Sequence, residues 1–381
     1  MTDILERPRV QRDPAPTRVS GVLEVSGGQS GRLRGSGWSA APDDVQVSAT
    51  QIRKAGLRKG DLVEGVADRP GALGEVLLVN GLPPGGWRPH FADLTPLHPR
   101  QPLRLESALL KGSSAAAGRI IDLMAPVGKG QRGLIVAPPK AGKTMLLQSV
   151  AAAVAANHPE CHLMVVLLDE RPEEVTDMRR SVRGEVISST FDQPAKQHIA
   201  VAELAVERAK RLVELGQDVV ILLDSLTRLC RAYNTAAAGG GRTLSGGVDA
   251  AALLGPKRLF GAARRTEEGG SLTILATALV DTGSRADTFF YEELKGTGNM
   301  ELHLDRSLAE RRVFPAVDLL TSGTRREELL LPAAELSVVR GLRRALHGRD
   351  AQSGLGVLLE RIRQTPDNAA FLRQVQGTLP A

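Results

Sequence analysis

Ala137-Pro-Pro-Lys-Ala-Gly-Lys-Thr144 follows an apolar run and precedes an Ala- and Leu-rich segment. Between a strand and a helix, that spacing forms a P-loop, whose backbone N–H groups and helix N-terminus together cradle phosphate. Lys143 would set a positive charge against the outer phosphates, and the Thr144 hydroxyl is a ligand for Mg2+. The first position of the pattern, usually glycine, is Ala137. Val219-Val-Ile-Leu-Leu-Asp224 is an apolar strand ending in a carboxylate, which fits the acidic partner that holds Mg2+ through water. A second strand, Met164–Leu168, ends in Asp169-Glu170-Arg171-Pro172, and Glu170 is a candidate to polarise an attacking water. Pro172 opening a helix whose N-terminus favours acids explains the same residues locally, and both readings can hold. The chemistry these residues offer together is transfer of a phosphoryl group from ATP to water.

Such groups need a scaffold that ends several strands on one edge. From Gly118 onward, continuous apolar segments alternate with helical patterns: Gly133–Ala137, Leu163–Leu168, Val186–Thr190, Val219–Leu223, Leu272–Leu279 and Met300–Leu304. Strands so uniformly apolar belong to a mostly parallel sheet covered on both faces. Met145–Ala156 and Gln197–Leu215 read as crossover helices, and the carboxyl edge of such a sheet presents ligand-binding residues. Earlier, Gly21–Val25, Val45–Val47, Asp61–Val66 and Glu75–Val79 are short apolar stretches broken by glycine, the spacing of a small all-β barrel, with Gln51–Leu57 as a helical turn or two. The predicted organisation is a disordered arm over 1–18, a barrel over 19–81, a linker over 82–118 and an α/β domain over 119–381. The Gly-rich tract Ala236–Gly241 predicts a mobile loop.

Of the 381 residues, 42% are hydrophobic and only 3% aromatic, so aliphatic side chains and alanine must fill the cores. A net charge of +6 and a pI near 9.6 permit a polyanion partner without requiring one. Cys161 and Cys230 stand outside any motif, which predicts a reducing compartment rather than a disulfide framework. Met1–Arg18 is rich in Arg, Asp and Pro and has no apolar core of the kind a signal peptide carries. No apolar run approaches a bilayer span, so the expectation is a cytoplasmic protein with no membrane partner.

Gly128-Lys-Gly-Gln-Arg-Gly133, the P-loop through Met145 and Asp169-Glu-Arg-Pro-Glu-Glu-Val-Thr176 closely resemble the bacterial transcription termination factor Rho family. Tyr233-Asn-Thr235, Gly246-Gly-Val-Asp249, Phe260-Gly-Ala-Ala-Arg264 and Gly296-Thr-Gly-Asn-Met-Glu-Leu-His303 extend the match. The resemblance covers Val19 to about Glu328. It implies a RecA-like P-loop ATPase core behind an OB or cold-shock-like barrel, assembled as a homohexameric ring. That ring would translocate 5′ to 3′ on single-stranded RNA as a helicase and terminate transcription, with RNA polymerase and elongation factors as further partners. By motif match it makes Lys143 and Thr144 the phosphate and Mg2+ residues, Glu170 the catalytic base and Asp224 the second acidic site. It extends ATP binding to Gly128, Lys129, Gly130, Gln131, Arg132, Gly133, Lys140, Ala141, Gly142, Met145 and Arg171, with Phe314 on adenine beside Met145. Arg325 matches the arginine finger that a neighbouring subunit supplies, and Arg312 a second trans-acting arginine. A local explanation exists here too: Thr324-x-x-Glu327 is a capping box, although it demands neither arginine.

The resemblance also implies two loops facing a central pore, Gly239–Gly247 and Asp281–Asp287. Their cations are Arg242 and Arg285 where lysine is the family's habit, in a chain that uses Arg far more than Lys. In the barrel the match runs through Gly21–Glu24, Leu33-Arg34, Pro42–Asp44 and Gln51–Arg53. The family's base-stacking aromatics are replaced by Ser30, Arg32 and Gln46. Arg32 can stack through its guanidinium plane, Trp38 lies nearby, and Arg34 and Asp44 are expected as phosphate and base-edge contacts. The competing readings are another RecA-like ring ATPase acting on nucleic acid, and an RNA-binding module whose nucleotide site only holds a ring together.

Overall fold

The computed structural model describes residues 17–27, 30–237, 244–348 and 350–377, which fall into two compact units. The arm expected over 1–18 lies outside the described residues as far as residue 16. Six residues of the glycine-rich segment, 238–243, lie outside them too.

The smaller unit takes in residues up to Gly35 and Ala41–Gly86. It is a closed barrel in the order β1-β2-β3-β5-β4: β1 Arg18–Ser26, β2 Ser30–Arg34, β3 Val45–Val47, β4 Leu62–Arg69 and β5 Ala72–Val79. Alternate residues point inward, and Leu23, Leu33, Val47, Val63, Leu73 and Val79 form its core with Ala55 and Leu57. Those last two belong to α1 (Ala49–Ala55) and the turn after it. The helix starts where Ser48 and Gln51 close a reciprocal capping box. Strand β2 has no counterpart in the sequence-based reading, because Ser-Gly-Arg-Leu-Arg contains a single apolar inward residue.

The larger unit comprises Trp87 onward together with Ser36–Ala40. Its sheet runs β14-β13-β7-β12-β10-β8-β9. The parallel strands are β7 Arg132–Ala137, β8 His162–Glu170, β9 Glu185–Thr190, β10 Asp218–Asp224, β12 Ser271–Leu279 and β13 Met300–His303. Short antiparallel pieces, β6 Pro96–Leu97, β11 Arg264–Thr266 and β14 Gly323–Thr324, attach at the margins. Leu222 lies level with Val165 on one side and Leu275 on the other, and the three share a core with α2 (Gly112–Met124) and α3 (Lys143–Asn157). The adjacent residues on the same strands, Ile221, Val166 and Ala276, are buried as well, and α5 (Ala195–Val213) and α6 (Leu226–Ala237) pack on β8, β10 and β12. Both faces are therefore covered, as the apolar runs require.

Four more helices complete the middle of the unit: α4 Pro172–Ser181, α7 Leu254–Phe260, α8 Arg285–Lys295 and α9 Arg306–Glu310. The chain ends in α10 Ala333–Leu346, α11 Ala351–Arg363 and α12 Asn368–Gln376. Arg119, on α2 and almost fully buried, ties this end down. It donates to Ile362 O (2.6 Å), Thr365 O (2.7 Å) and Asn368 Oδ1 (2.9 Å). Among the described residues no helix is long and apolar enough to cross a membrane.

Candidate functional site

Because the strands are parallel, their carboxyl ends share one edge, and that edge gathers the carboxylates read from the sequence. Lys143 opens α3, directly after Gly142 at φ +87°. Its Nζ lies 3.0 Å from Glu170 Oε1 and 2.5 Å from Asp224 Oδ1. Glu170 and Asp224 are 4% and 2% exposed. Thr277 Oγ1 donates to Asp224 Oδ1 (2.8 Å), fixing that carboxylate from β12. Burial raises the Glu170 pKa above the ordinary glutamate value; the Lys143 charge opposes the shift and Asp224 adds to it. Burial also works against the Lys143 charge, yet Asp224 and Glu170 outweigh it and raise that pKa.

Arg228, which the sequence reading passed over, brings a second cation to this edge. Its Nη1 donates to Asp169 Oδ2 (2.6 Å), and its Nε lies 3.8 Å from Glu170 Oε1. The signal was available: Arg228 falls one helical turn beyond the Asp224 carboxylate, at the start of α6.

Around the loop, Phe314 reaches Gly142 so closely that a Cβ there would come 3.0 Å from Phe314 Cε1. Phe314 and Met145 line one narrow cleft, with Ser113 and Ala117 from α2. Ala141 is buried, whereas Lys140, Arg171 and Arg312 are exposed at the same edge, Lys140 and Arg312 at positive φ. Arg171 pairs with Glu174 (3.1 Å) in the first turn of α4, where Pro172 and the acids also satisfy the helix-start reading.

The run Gly128–Gly133, expected to extend the ATP site, stands apart from the P-loop. It lies at the amino end of β7, and the four steps from Gly133 to Ala137 put roughly 13 Å between its last residue and the start of the P-loop. Lys129 there is committed to Asp218 (2.7 Å) and Glu160 (2.9 Å), and Arg132 donates to Thr297 O (2.9 Å) and Ala263 O (3.0 Å). The run thus sits at the opposite end of β7 from the P-loop. Arg325 stands at the same amino edge, exposed, its backbone N donating to Asn299 O (2.9 Å). The capping box expected beside it does not form. Thr324 sits in β14 with Oγ1 on Pro126 O (2.7 Å), and Glu327 accepts from Arg343 Nη1 (2.7 Å) instead.

In the barrel, Ser30, Arg32 and Gln46 are exposed and line one cleft of about 390 Å³ with Asp68 and Arg69. Arg32 faces Gln46 across β2 and β3, and no aromatic joins them. Trp38 offers no stacking face: it is 4% exposed and belongs to the larger unit. Arg34 and Asp44, expected as RNA contacts, meet each other on the barrel. The Arg34 guanidinium is paired with both Glu24 and Asp44, and Asp44, 6% exposed, also accepts from Ala41 N (2.9 Å). Both groups are thus already engaged within the barrel, Asp44 through Oδ2. Binding here should therefore be electrostatic, through Arg32 and Arg69. A missing base stack removes about 1–3 kcal/mol per base. Titration of the protein carrying Lys143→Ala with short C-rich and A-rich RNAs should show affinity falling steeply with salt and weakening further in Arg32→Ala. Salt-insensitive, base-selective binding to that cleft would refute this.

Arg242 lies outside the described residues. Arg285 is exposed at the first position of α8, and Ser245–Gly247 packs against that helix, so the described end of one loop adjoins the other. Asp287 anchors the second loop by accepting from Arg231 Nε (2.9 Å) and Thr282 Oγ1 (2.6 Å).

Residues 19–85 match the Rho termination factor RNA-binding domain, and residues 118–324 the nucleotide-binding domain of the ATP synthase alpha/beta family. A type III secretion system ATPase shares the fold, with a TM-score of 0.62 at 20% identity over 81% of this chain and 95% of that one. Transcription termination factor Rho of Streptomyces coelicolor is 69% identical over all of this chain and 91% of its own length. The Rho protein of Streptosporangium roseum is 58% identical over 99% of both chains, and that of Mycobacterium tuberculosis 54% identical over 97% of this chain and 63% of its own. Barrel, P-loop core and both sequence signatures thus coincide along one chain, which belongs to the transcription termination factor Rho family.

Proposed function

We propose that this chain is an ATP-dependent RNA translocase and helicase that terminates transcription as a homohexameric ring. The observation that carries the reading is the joining of a Rho-type RNA-binding barrel to a P-loop whose Lys143 sits between Glu170 and Asp224. In this reading the cradle at Gly142–Thr144 binds the ATP phosphates, and Lys143 leaves the carboxylates to follow them. Glu170, with its raised pKa, accepts a proton from the attacking water. Thr144 and Asp224 would hold Mg2+, which neutralises phosphate charge when bound. The donor set fits, since two buried carboxylates already share a single ammonium. Phe314 and Met145 receive the adenine, and Arg312 and Arg285 act at the subunit interface and on RNA respectively.

Arg325 supports the ring. It lies across the sheet from its own P-loop, which supports a role at the nucleotide site of a neighbouring subunit. Action in the cytoplasm on RNA engaged by RNA polymerase and elongation factors belongs to the same proposal. The match to ATP synthase-type subunits stops at the nucleotide-binding domain, and the barrel favours RNA over a rotary or secretory role. The experiment is phosphate release from ATP with poly(C), poly(U), single-stranded DNA and no polymer. RNA should stimulate at least tenfold over DNA; equal rates throughout would refute the reading.

A further inference from the structure

The Gly128–Gly133 run lies at the far end of β7 from its own P-loop, and what it touches there is the segment that carries Arg325. Gln131 is 1% exposed. Its Oε1 accepts from Gly128 N (3.2 Å), closing the turn on itself. Its Nε2 donates to Asn299 Oδ1 (2.7 Å) and Asn299 O (3.2 Å). Asn299 Oδ1 also accepts from Arg132 N (2.9 Å), and Asn299 N donates to Arg132 O (2.9 Å). Asn299 O then accepts from Arg325 N (2.9 Å). One residue thereby joins the turn before β7 to the backbone of Arg325. The turn itself admits only glycine at 130, where φ is +95° and a Cβ would come 2.3 Å from Arg265 N.

Two further braces hold the same segment. Thr324 Oγ1 donates to Pro126 O (2.7 Å). Arg343 spans Glu327 (2.7 Å) and Met124 O (2.8 Å). The Arg325 side chain, by contrast, is exposed and has no hydrogen-bond or ion-pair partner among the described residues. A fixed backbone beneath a free guanidinium suits a residue that must deliver charge to a second molecule at a defined angle.

We infer that Gln131 and Asn299 are positioning residues that aim Arg325 at the nucleotide site of the neighbouring subunit. The inference rests on the trans-acting reading of Arg325. It gives the Gly128–Gly133 signature a place at the catalytic interface without contact to this subunit's own ATP.

The test uses full-length chains in homomeric and mixed rings, with ATP affinity read by a fluorescent ATP analogue. Asn299→Ala should leave affinity within about twofold and lower kcat by about 10- to 100-fold, the scale of a misplacement near 1 Å. Mixed with Lys143→Ala subunits it should regain turnover above the sum of the two homomeric rings, since each supplies the half the other lacks. Mixed with Arg325→Ala it should regain nothing, because both lack the same half. Asn299→Asp keeps the Oδ1 acceptor that takes both bonds and should retain most of the wild-type kcat, whereas a site needing only bulk would prefer Asn299→Leu. If Asn299→Ala does not assemble, Gln131→Glu serves: it keeps the acceptor for Gly128 N and loses the donor to Asn299, and the same complementation pattern is expected. ATP affinity falling in step with kcat, or rescue by Arg325→Ala subunits, overturns the inference. So does failure to complement Lys143→Ala where the Arg325→Ala and Lys143→Ala control mixture succeeds. If that control fails in rings shown to form, the trans reading of Arg325 falls first.

Discussion

Replacing Lys143 by alanine is expected to drive ATP turnover below detection while ring assembly and RNA binding by the barrel persist. Two losses coincide. The loop has no other side chain able to set a charge against the outer phosphates, since Lys140 points from an exposed turn at positive φ. The ammonium is also the closest cation to Glu170 and Asp224, at 3.0 and 2.5 Å. Without it two buried carboxylates face one another, and Glu170, already raised by burial, is driven further toward its protonated and inactive form. The same logic gives a pH dependence for the wild-type enzyme. A general base works only when ionised, and the folded Glu170 pKa lies above the ordinary glutamate value. Turnover should therefore begin to fall, on acidification, at a pH higher than an unperturbed glutamate would set. Phosphate release measured over a pH series, with thermal unfolding as a control for fold, checks both arms. Residual RNA-stimulated turnover in the mutant would mean the site is elsewhere.

The P-loop and its two carboxylates were legible because each is local: a loop between a strand and a helix, or an acid ending an apolar strand. Parallel strands then bring such ends to one edge without any further information. The place of Gly128–Gly133 was not legible, for the opposite reason. It precedes the P-loop by only a few residues in sequence, but the strand between them, itself readable as Gly133–Ala137, carries the chain to the far edge. Arg34 and Asp44 look like free contacts in sequence. Their mutual pairing depends on the β1–β2 and β2–β3 registers, which no local pattern encodes. Helix α2 disappeared into the expected linker because Gly-Ser-Ser-Ala-Ala-Ala-Gly has little amphipathic contrast. Its burial comes from packing against α3 and α11. Thr324 and Glu327 had the spacing of a capping box, but pairing with β13 takes Thr324 into a strand, and tertiary contact overrides the local signal.

Arg325→Ala should leave ATP affinity nearly unchanged and lower turnover by about 10³ or more, the scale on which arginine fingers act. The geometry supplies the reason. Thr324 pairs with Met300, and Met300 lies level with Gly133 at the amino end of β7, while the P-loop follows the carboxyl end. A flexible side chain cannot cross a sheet to its own nucleotide, so removing it takes nothing from ground-state binding in the same subunit. On the proposed trans-acting reading it removes a cation only from the transition state next door, where charge on the transferring phosphoryl group exceeds what Lys143 alone can offset. That placement also predicts complementation. In rings assembled from equal parts Arg325→Ala and Lys143→Ala, about one interface in four joins an intact P-loop to an intact finger, given random mixing around a head-to-tail ring. Turnover should rise above both homomeric rings toward that fraction if sites fire independently, and less far if each must wait for its neighbours. A loss of ATP affinity matching the loss of turnover would place Arg325 in its own subunit's ground-state binding instead, against the separation the sheet imposes.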